Sequence, residues 1–325
     1  MAVYTEVSFD EAAALIDRLA LGSLQAFAPC AGGIENTNYF ADTTSGRYVL
    51  TLFERLRADE LPFYLQLMKH LADRGLPVPG PHADASGALV LELKAKPAAL
   101  VDRLPGEHHL APDAADCTSV GRVLARMHLA ARDFAPAQPN LRGLDWWNET
   151  VPVVVPYLEA GQQAMMEDEL AYQRHLAASS AYATLPRAAI HGDLFRDNVM
   201  FVAGELAGLF DFYFAGVDTL LYDIAVALND WCIDLDTGRL DEQRAEALVA
   251  AYESVRPLES AEVRLMPALM RAAAFRFWLS RVWDAHLPRD AVMLKAHDPE
   301  HFERVLSQRR ETPWHPVRSA GAASA

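Results

Sequence analysis

The chain has 325 residues, of which 51% are hydrophobic, and a formal net charge of −15 at pH 7. This length and composition are sufficient for a buried core and suit one large two-lobed domain or two domains. The excess of negative charge repels nucleic-acid phosphates and anionic membrane surfaces, so neither is an expected partner.

No segment of the sequence indicates export or a membrane span. The N-terminal segment has neither a basic stretch nor a long apolar one, and VPVVVP at 151–156 is too short to cross a bilayer. Cys30, Cys117 and Cys232 are far apart in the sequence and lack metal-ligand spacing. We therefore expect free thiols in a reducing, cytoplasmic environment.

The first third of the chain predicts one helix, several short strands and a second helix. A Ser8-x-x-Glu11 capping box predicts a helix over residues 8–20. Helical spacing of apolar residues predicts another helix over 59–74, with Pro62 in its first turn. Short apolar or alternating segments predict strands, at 24–29, 38–42, 47–53, 88–93 and 98–103.

From Leu104-Pro105-Gly106 onward the pattern becomes mainly helical. Periodic apolar residues predict helices, near 113–134, 157–178, 223–233, 241–254 and 260–286. This shift predicts an α+β protein with a small β-rich N-lobe at 1–103 and a larger helical C-lobe at 104–310. Residues 311–325 are rich in Pro, Ala and Ser and are predicted to form a disordered tail.

The strongest functional signal is a His-x-Asp-x4-Asn motif formed by His191, Asp193 and Asn198, followed by Asp211-Phe212. Apolar segments on both sides of Gly204 predict a hairpin that returns Asp211 to the loop containing Asp193 and Asn198. Three oxygen-bearing side chains then converge at one point.

Phosphoryl transfer requires such a cluster. Magnesium prefers oxygen ligands, and a further carboxylate must orient the attacking hydroxyl and accept its proton. The motif has the arrangement found in protein kinases. By that resemblance, Asp193 is the catalytic base, and Asn198 and Asp211 hold magnesium on the nucleotide.

A second signal is Gly32-Gly33, followed by Asn36 and Thr37, in a turn between the first two predicted strands. Glycines let backbone amides approach phosphate oxygens, and Asn and Thr side chains add donors. This predicts a nucleotide-binding segment, and an ordinary hairpin turn is the alternative interpretation. The segment is neither a Walker P-loop nor a dinucleotide fingerprint.

Two further residues are expected to support the site without reacting. His191 is predicted to order the loop around Asp193. Asp223 begins an apolar helical segment, where an acid complements the helix dipole. The alternative role of Asp223 is to accept hydrogen bonds from the catalytic loop and brace it.

These motifs resemble the aminoglycoside-phosphotransferase group of kinases. Residues 97–107 and 122–128 resemble the interlobe hinge and an early helix of that group. The resemblance implies a bilobal, protein-kinase-like fold, ATP and Mg2+ as cofactors, and a small hydroxyl compound as phosphoryl acceptor. One position departs from the protein-kinase pattern, because Thr51 replaces the lysine that contacts the phosphates. Arg55 or backbone amides are candidates to take its place.

A finer resemblance points to one branch of this group, whose acceptor is an amino acid with a primary hydroxyl. It rests on blocks within about 32–306, at 32–40, 47–54, 191–201, 211–216, 221–232 and 275–284.

A zwitterionic acceptor needs an anion for its ammonium and a cation for its carboxylate. Asp230 and Arg281 are the candidates for these roles, with Tyr213, Trp231 and Trp278 as walls. Trp278 is alternatively a core residue, and Arg281 a solvated or ion-paired one.

Two other functions stay open at this point. A kinase of the same fold could act on an aminoglycoside, a choline-like alcohol or a sugar, although Arg281 favours an acceptor with a carboxylate. A pseudokinase would bind nucleotide without phosphoryl transfer; Thr51 favours this reading, and the intact Asp193, Asn198 and Asp211 count against it. The sequence predicts no particular oligomeric state.

Overall fold

The computed structural model describes residues 4–30, 36–287 and 298–317. The elements of the first third are α1 (Phe9–Arg18), β1 (Leu24–Pro29), β2 (Thr37–Thr43), β3 (Arg47–Leu52), α2 (Pro62–Asp73), β4 (Leu91–Leu93) and β5 (Lys96–Asp102). The elements that follow are α3 (Ala114–Ala130), α4 (Leu144–Val154), α5 (Ala160–Ala177), α6 (Ser180–Ala183), β6 (Arg187–Ile190), β7 (Val199–Val202), β8 (Glu205–Leu209), β9 (Gly216–Thr219), α7 (Leu220–Trp231), α8 (Glu242–Glu253), α9 (Ser260–His286) and α10 (Pro299–Glu311).

The chain forms two compact units. The first contains the described residues up to 106 together with 207–210, and the second contains the other described residues from 107 onward. The first unit is rich in strands and the second is mainly helical. These findings confirm the predicted α+β class.

The first unit is built on a five-stranded antiparallel sheet with the order β1-β2-β3-β5-β4. Helix α1 begins with the predicted capping box of Ser8 and Glu11, and its buried residues Leu15 and Ile16 join the core on one face of the sheet. The sheet contributes alternating side chains to this core, including Tyr39 and Leu50. Alternating burial along β2 therefore indicates which of its side chains face away from α1.

The second unit is organised around α7 and α9. Every residue of α7 is buried, and so are fourteen of the 27 residues of α9. Helices α4, α7 and α10 pack against α9, while α8 packs against α3. A helix buried on nearly all sides is apolar all round, so its periodicity does not reveal which neighbour each residue contacts.

Several features differ from the sequence predictions. Helices α4 and α10 were not predicted, and the strand predicted over 88–93 is confined to Leu91–Leu93. The tail predicted from 311 starts too early, because α10 reaches Glu311 and Trp314 is buried with 7% of its surface exposed. Residues 318–325 lie outside the described part of the chain.

The cysteines are free, as the sequence predicted. Although Cys117 and Cys232 are far apart in the sequence, both are buried in the second unit, with their Sγ atoms 3.9 Å apart. Across residues 4–30, 36–287 and 298–317, no helix has both the length and the apolar character needed to cross a membrane.

Candidate active site

The loop that contains Asp193 begins where β6 ends, at His191. Strand β6 is held by antiparallel pairing with β9. A short 3-10 helix over Arg196–Asn198 leads directly into β7. Strands β7 and β8 form a two-stranded sheet, and Asp211 follows in the left-handed backbone conformation, with φ 66° and ψ 61°.

The carboxylate of Asp193 lies between an amide and a guanidinium. Asn198 Nδ2 donates to the Asp193 carbonyl oxygen at 2.8 Å and lies 3.4 Å from Oδ2. Arg276 Nη1 lies 3.4 Å from the other oxygen, Oδ1. Because the NH2 group of Asn198 faces Asp193, its carbonyl oxygen is the atom that it would offer to a cation.

The electrostatic surroundings of Asp193 are unfavourable for an anion. Burial raises the pKa of Asp193 to about 7; the cation of Arg276 opposes this, while Asp211, Asp197 and Asp230 add to it. Acidic groups thus outnumber nearby cations at this loop. A hard divalent cation would neutralise the excess, so the oxygen donors of Asn198 and Asp211 fit magnesium.

No cluster of three or more His, Cys, Asp or Glu suited to holding a metal occurs in the described part of the chain. Magnesium commonly takes only one or two protein carboxylates, together with substrate phosphates and water. Asn198 and Asp211 therefore suit a magnesium ion that arrives with a nucleotide.

Asp223 braces the start of the catalytic loop by accepting hydrogen bonds from its backbone. Its Oδ2 accepts the His191 backbone N–H and its Oδ1 accepts the Gly192 backbone N–H, each at 2.8 Å. His128 Nε2 lies 3.1 Å from Oδ2. Burial alone would raise the pKa of Asp223. The hydrogen bond and the charge of His128 outweigh burial, together with the charge of His191 and the backbone N–H of Gly192, and they hold this pKa below its usual value. The side chain of His191 points back into the loop, where Nδ1 lies 3.2 Å from the Asp193 backbone nitrogen.

Asp230 braces the same loop at its other end. Its Oδ2 accepts from the backbone nitrogen of Arg196 at 2.8 Å and from the Arg196 side chain at 3.0 Å. Arg196 also donates to the carbonyl oxygens of Leu110 and Asp230. Asp230 is thus paired within the protein, and the predicted ammonium contact would have to use Oδ1.

The site has the parts of a phosphoryl-transfer centre, and comparison with known proteins agrees. The family model described as "Phosphotransferase enzyme family" matches residues 26–258. This chain belongs to that family. The predicted resemblance to aminoglycoside phosphotransferases is confirmed, and with it the protein-kinase-like fold.

Relatives of this phosphotransferase cover nearly its whole length. A homoserine kinase of Polaromonas naphthalenivorans is 65% identical over 97% of this chain and 99% of the relative. A homoserine kinase of Paraburkholderia xenovorans is 52% identical over 95% of this chain and 96% of the relative.

Solved structures show the same fold at low sequence identity. Choline kinase LicA from Streptococcus pneumoniae has a TM-score of 0.66 at 15% identity, covering 94% of this chain and 100% of that one. Amicoumacin kinase hAmiN, in complex with AMP-PNP, has a TM-score of 0.65 at 18% identity, and 93% of each chain is covered.

Both tryptophans that were predicted to line the acceptor site of this phosphotransferase, Trp231 and Trp278, are core residues instead. Trp231 has no exposed surface, and its indole N–H donates to the Leu194 carbonyl at 3.0 Å. Trp278 is also fully buried, as its alternative reading anticipated. Trp231 therefore supports the catalytic loop from inside rather than lining a pocket.

Tyr213 and Arg281 are only half-buried, unlike the two tryptophans. Burial and then the charge of Asp211 raise the pKa of Tyr213, so its phenol is neutral. Arg281 lies over the Phe302 ring at 4.5 Å and donates to the Asp298 carbonyl at 3.1 Å. Burial lowers the pKa of Arg281 to about 10, while Asp230, Asp298, Asp193 and Asp197 oppose the shift. Arg281 thus stays a cation within the electrostatic influence of these acidic side chains.

In the first unit, Thr37 has an internal role. Its fully buried hydroxyl donates to Glu54 at 2.6 Å and accepts the backbone N–H groups of Tyr4 and Thr5. A nucleotide contact from Thr37 would thus have to come from its backbone. Asn36 Oδ1 accepts the Glu54 backbone N–H at 3.4 Å. Gly32 and Gly33 lie outside the described residues.

The position of the missing lysine is occupied by a neutral cross-strand pair. Thr51 donates to Asn38 Oδ1 at 2.7 Å, as the paired residues of β2 and β3. Lys96 instead forms an ion pair with Glu54, just beyond the end of β3. Sequence reasoning missed this pair because Lys96 lies 42 positions from its partner.

Proposed function

We propose that this phosphotransferase transfers the γ-phosphoryl group of ATP to the hydroxyl of L-homoserine, giving O-phospho-L-homoserine. The observation that carries the acceptor is the 65% identity to a homoserine kinase over 97% of the chain. The geometry that carries the reaction type is a carboxylate, Asp193, which contacts the side-chain amide of Asn198 and lies within the electrostatic influence of Asp211. The product lies on the route to threonine, and we infer that the reaction takes place in the cytoplasm.

In the proposed reaction, Asp193 orients the acceptor hydroxyl and accepts its proton as the oxygen attacks the γ-phosphorus. Magnesium, held by Asn198 and Asp211, would supply charge neutralisation at the nucleotide phosphates. Asp223 and Asp230 keep the loop in place, because their carboxylates fix the backbone nitrogens of residues 191, 192 and 196. The segment containing Gly32, Gly33, Asn36 and Thr37 stays a proposed nucleotide contact.

Homoserine also needs groups that recognise its charged amino-acid end. Arg281 is the proposed partner of the carboxylate, because a guanidinium can donate two parallel hydrogen bonds to it. Oδ1 of Asp230 is the proposed partner of the ammonium, since Oδ2 is bound by Arg196. Tyr213, with its neutral phenol beside Asp211, is the proposed wall of the pocket.

Changing Arg281 to Met is expected to raise the KM for homoserine about tenfold or more, because a hydrogen bond to a charged group contributes about 1.5–3 kcal/mol. The KM for MgATP should stay close to wild type. Steady-state ADP release with each substrate varied in turn measures both values. Arg264 is an exposed arginine on the same helix, about 25 Å away along the axis, and Arg264→Met is the matched control. An unchanged KM for homoserine in Arg281→Met would remove Arg281 from the acceptor site.

A coupled ADP-release assay with MgATP tests the proposed function directly. The acceptors are homoserine, serine, threonine, choline and kanamycin, each supplied at the same concentration. We expect turnover with homoserine and little with the others. Turnover confined to choline or kanamycin would retain the phosphotransferase centre and reject homoserine as acceptor. ATP binding without turnover on any acceptor would favour a binding module.

A further inference from the structure

Arg276 is a buried cation in direct contact with the proposed catalytic base. It lies in α9, and only 3% of its surface is exposed. Its Nη1 lies 3.4 Å from Asp193 Oδ1. Arg276 lies within the 275–284 block of the sequence, but no role was predicted for it, and it plays no part in the function proposed above.

Aromatic rings hold the guanidinium of Arg276 in place. Its Cζ lies 3.7 Å from the ring centroid of Phe277 and 4.9 Å from that of Phe214. Phe214 follows Asp211 by three residues, so the arginine contacts both segments that supply the site. A planar cation between aromatic faces loses little further freedom when it pairs with a carboxylate.

The two side-chain oxygens of Asp193 contact two different residues. Arg276 faces Oδ1, and Asn198 faces Oδ2 at 3.4 Å. A carboxylate held at both oxygens has its side-chain torsion fixed, whereas one held only by Asn198 can rotate. Correct orientation matters because displacement of a reacting group by about 1 Å can cost on the order of 10²-fold in rate.

We propose that Arg276 is the positioning residue of the catalytic base: it fixes Asp193 at Oδ1, so that the carboxylate faces the acceptor hydroxyl. Within the described residues, Arg276 forms one ion pair, and Asp193 is its partner. Helix α9 begins after residue 258, where the match to the general family model ends. The positioning cation therefore comes from a part of the chain that the general family match does not include.

This inference rests on the proposed function for the identity of Asp193 as base, and a direct contact of Arg276 with the acceptor carboxylate is its main rival. The two roles predict different kinetics. A positioning residue affects kcat and acts through Asp193, whereas a ligand of the acceptor affects the KM for homoserine and acts independently of Asp193.

The test compares Arg276→Met and Arg276→Lys, each made alone and combined with Asp193→Asn. We expect Arg276→Met to lower kcat about 10²-fold with less than a threefold change in the KM for homoserine or MgATP. Arg276→Lys should recover part of the rate, because it restores the cation without the planar fork. In the Asp193→Asn background, the loss caused by Arg276→Met should be threefold or less.

Arg271→Met is the matched control. Arg271 is also in α9, pairs with the buried Glu169 at 2.6 Å and stacks on Tyr172 at 3.7 Å, so its loss removes the same kinds of contact away from Asp193. Its kcat should stay within about threefold of wild type, even if its melting temperature falls. If Arg276→Met does not fold, Arg276→Lys alone is measured against the same kcat and KM criteria.

Two outcomes would overturn the proposal. The first is a raised KM for homoserine with kcat retained, and the second is a full loss of rate from Arg276→Met in the Asp193→Asn background. A wild-type protein that does not phosphorylate homoserine would reject the proposed function instead. The same kcat comparison can then be made on acceptor-independent ATP hydrolysis, which requires no assumption about the acceptor.

Discussion

Replacing Asp193 by Asn is expected to lower kcat for homoserine phosphorylation about 10³-fold, within the range usual for the loss of a general base. The amide keeps the shape of the carboxylate but cannot accept the proton of the attacking hydroxyl. Magnesium-dependent ATP binding should be nearly unchanged, because the proposed metal ligands are Asn198 and Asp211. Initial rates of ADP release and calorimetric titration with MgATP measure the two effects separately.

The same substitution should change the melting temperature by only a few degrees, because two effects oppose each other. The buried guanidinium of Arg276 loses its ion-pair partner, which destabilises the fold, while the amide removes the cost of a buried anion. Burial raises the pKa of Asp193 to about 7, which means that the folded protein holds this group as an anion only at a cost in stability. This cost develops as the pH rises from about 4, where the carboxyl group of the unfolded chain ionises, to about 7, where that of the folded protein does, and the neutral amide removes it. Loss of activity would then be separated from loss of folding.

Asp197→Asn is the matched control for Asp193→Asn. Asp197 is an exposed acid in the same loop, and its charge contributes to the raised pKa of Asp193. Its amide variant should turn over within about threefold of wild type, because Asp197 is exposed and no role in catalysis or substrate binding is proposed for it. Near-normal turnover in Asp193→Asn would exclude Asp193 as the base, and an equal loss in Asp197→Asn would show that the rate loss is not specific to Asp193.

The sequence predicted the catalytic loop because its geometry is local. Strand β6, the 3-10 turn at Arg196–Asn198 and the β7–β8 hairpin follow one another in the chain, so a motif and its flanking apolar segments define their arrangement. The same holds for the capping box of α1, where Ser8 and Glu11 are three residues apart. Structural features whose residues lie close together in the sequence could therefore be predicted residue by residue.

The acceptor side could not be predicted in this way, because it depends on which faces of buried helices meet the loop. Arg276 and Arg281 are five positions apart in α9, and therefore about 140° apart around its axis. The sequence favoured Arg281 from its chemistry. Residues 272–279 of α9 are apolar apart from Arg276 and are all buried, so their periodicity gives no indication that Arg276 faces Asp193. Trp231 was misassigned for the same reason, since every residue of α7 is buried.

Helix α4 shows a different limit of sequence reasoning. Pro152 lies inside it, and Pro156 lies in the 3-10 turn Val155–Tyr157 that follows it. The helix nevertheless continues to Val154, with Trp147, Val151 and Val154 buried. Packing of its apolar face against α9 outweighs the local preference, so tertiary contacts decide the helix where propensity opposes it.

The buried carboxylate of Asp223 connects the catalytic loop to the interior of the second unit. His128 Nε2 contacts Asp223 at 3.1 Å, and His128 Nδ1 lies 2.7 Å from the Tyr252 hydroxyl. Since an ionised carboxylate can only accept, Nε2 carries a proton that it donates to Asp223. Tyr252 in turn accepts from Arg256, which is paired with Glu262 at 3.0 Å. The loop is thus anchored by a buried network that reaches from α7 through α3 and α8 to α9.

Replacing Asp223 by Asn is expected to lower kcat about 10²-fold and the melting temperature by about 10 °C. The amide keeps one acceptor oxygen and replaces the other by an NH2 group, which then faces a backbone N–H of His191 or Gly192. A buried donor left without an acceptor, and a charge removed from a buried pair, together cost about 3–5 kcal/mol. Thermal unfolding and steady-state kinetics at a temperature well below the transition separate the two effects.

Asp241→Asn provides the comparison for Asp223→Asn. Asp241 caps α8 through the Arg244 backbone N–H, and its side chain is 41% exposed. Asn caps a helix about as well as Asp, and an exposed ion pair contributes less than about 1 kcal/mol, so this variant should resemble wild type. If Asp223→Asn also matches wild type in both kcat and melting temperature, the hydrogen bonds from Asp223 do not hold the loop. A kcat that falls while the melting temperature stays constant would restrict the role of Asp223 to the active site. If Asp223 anchors the loop to the buried interior, both kcat and the melting temperature must fall.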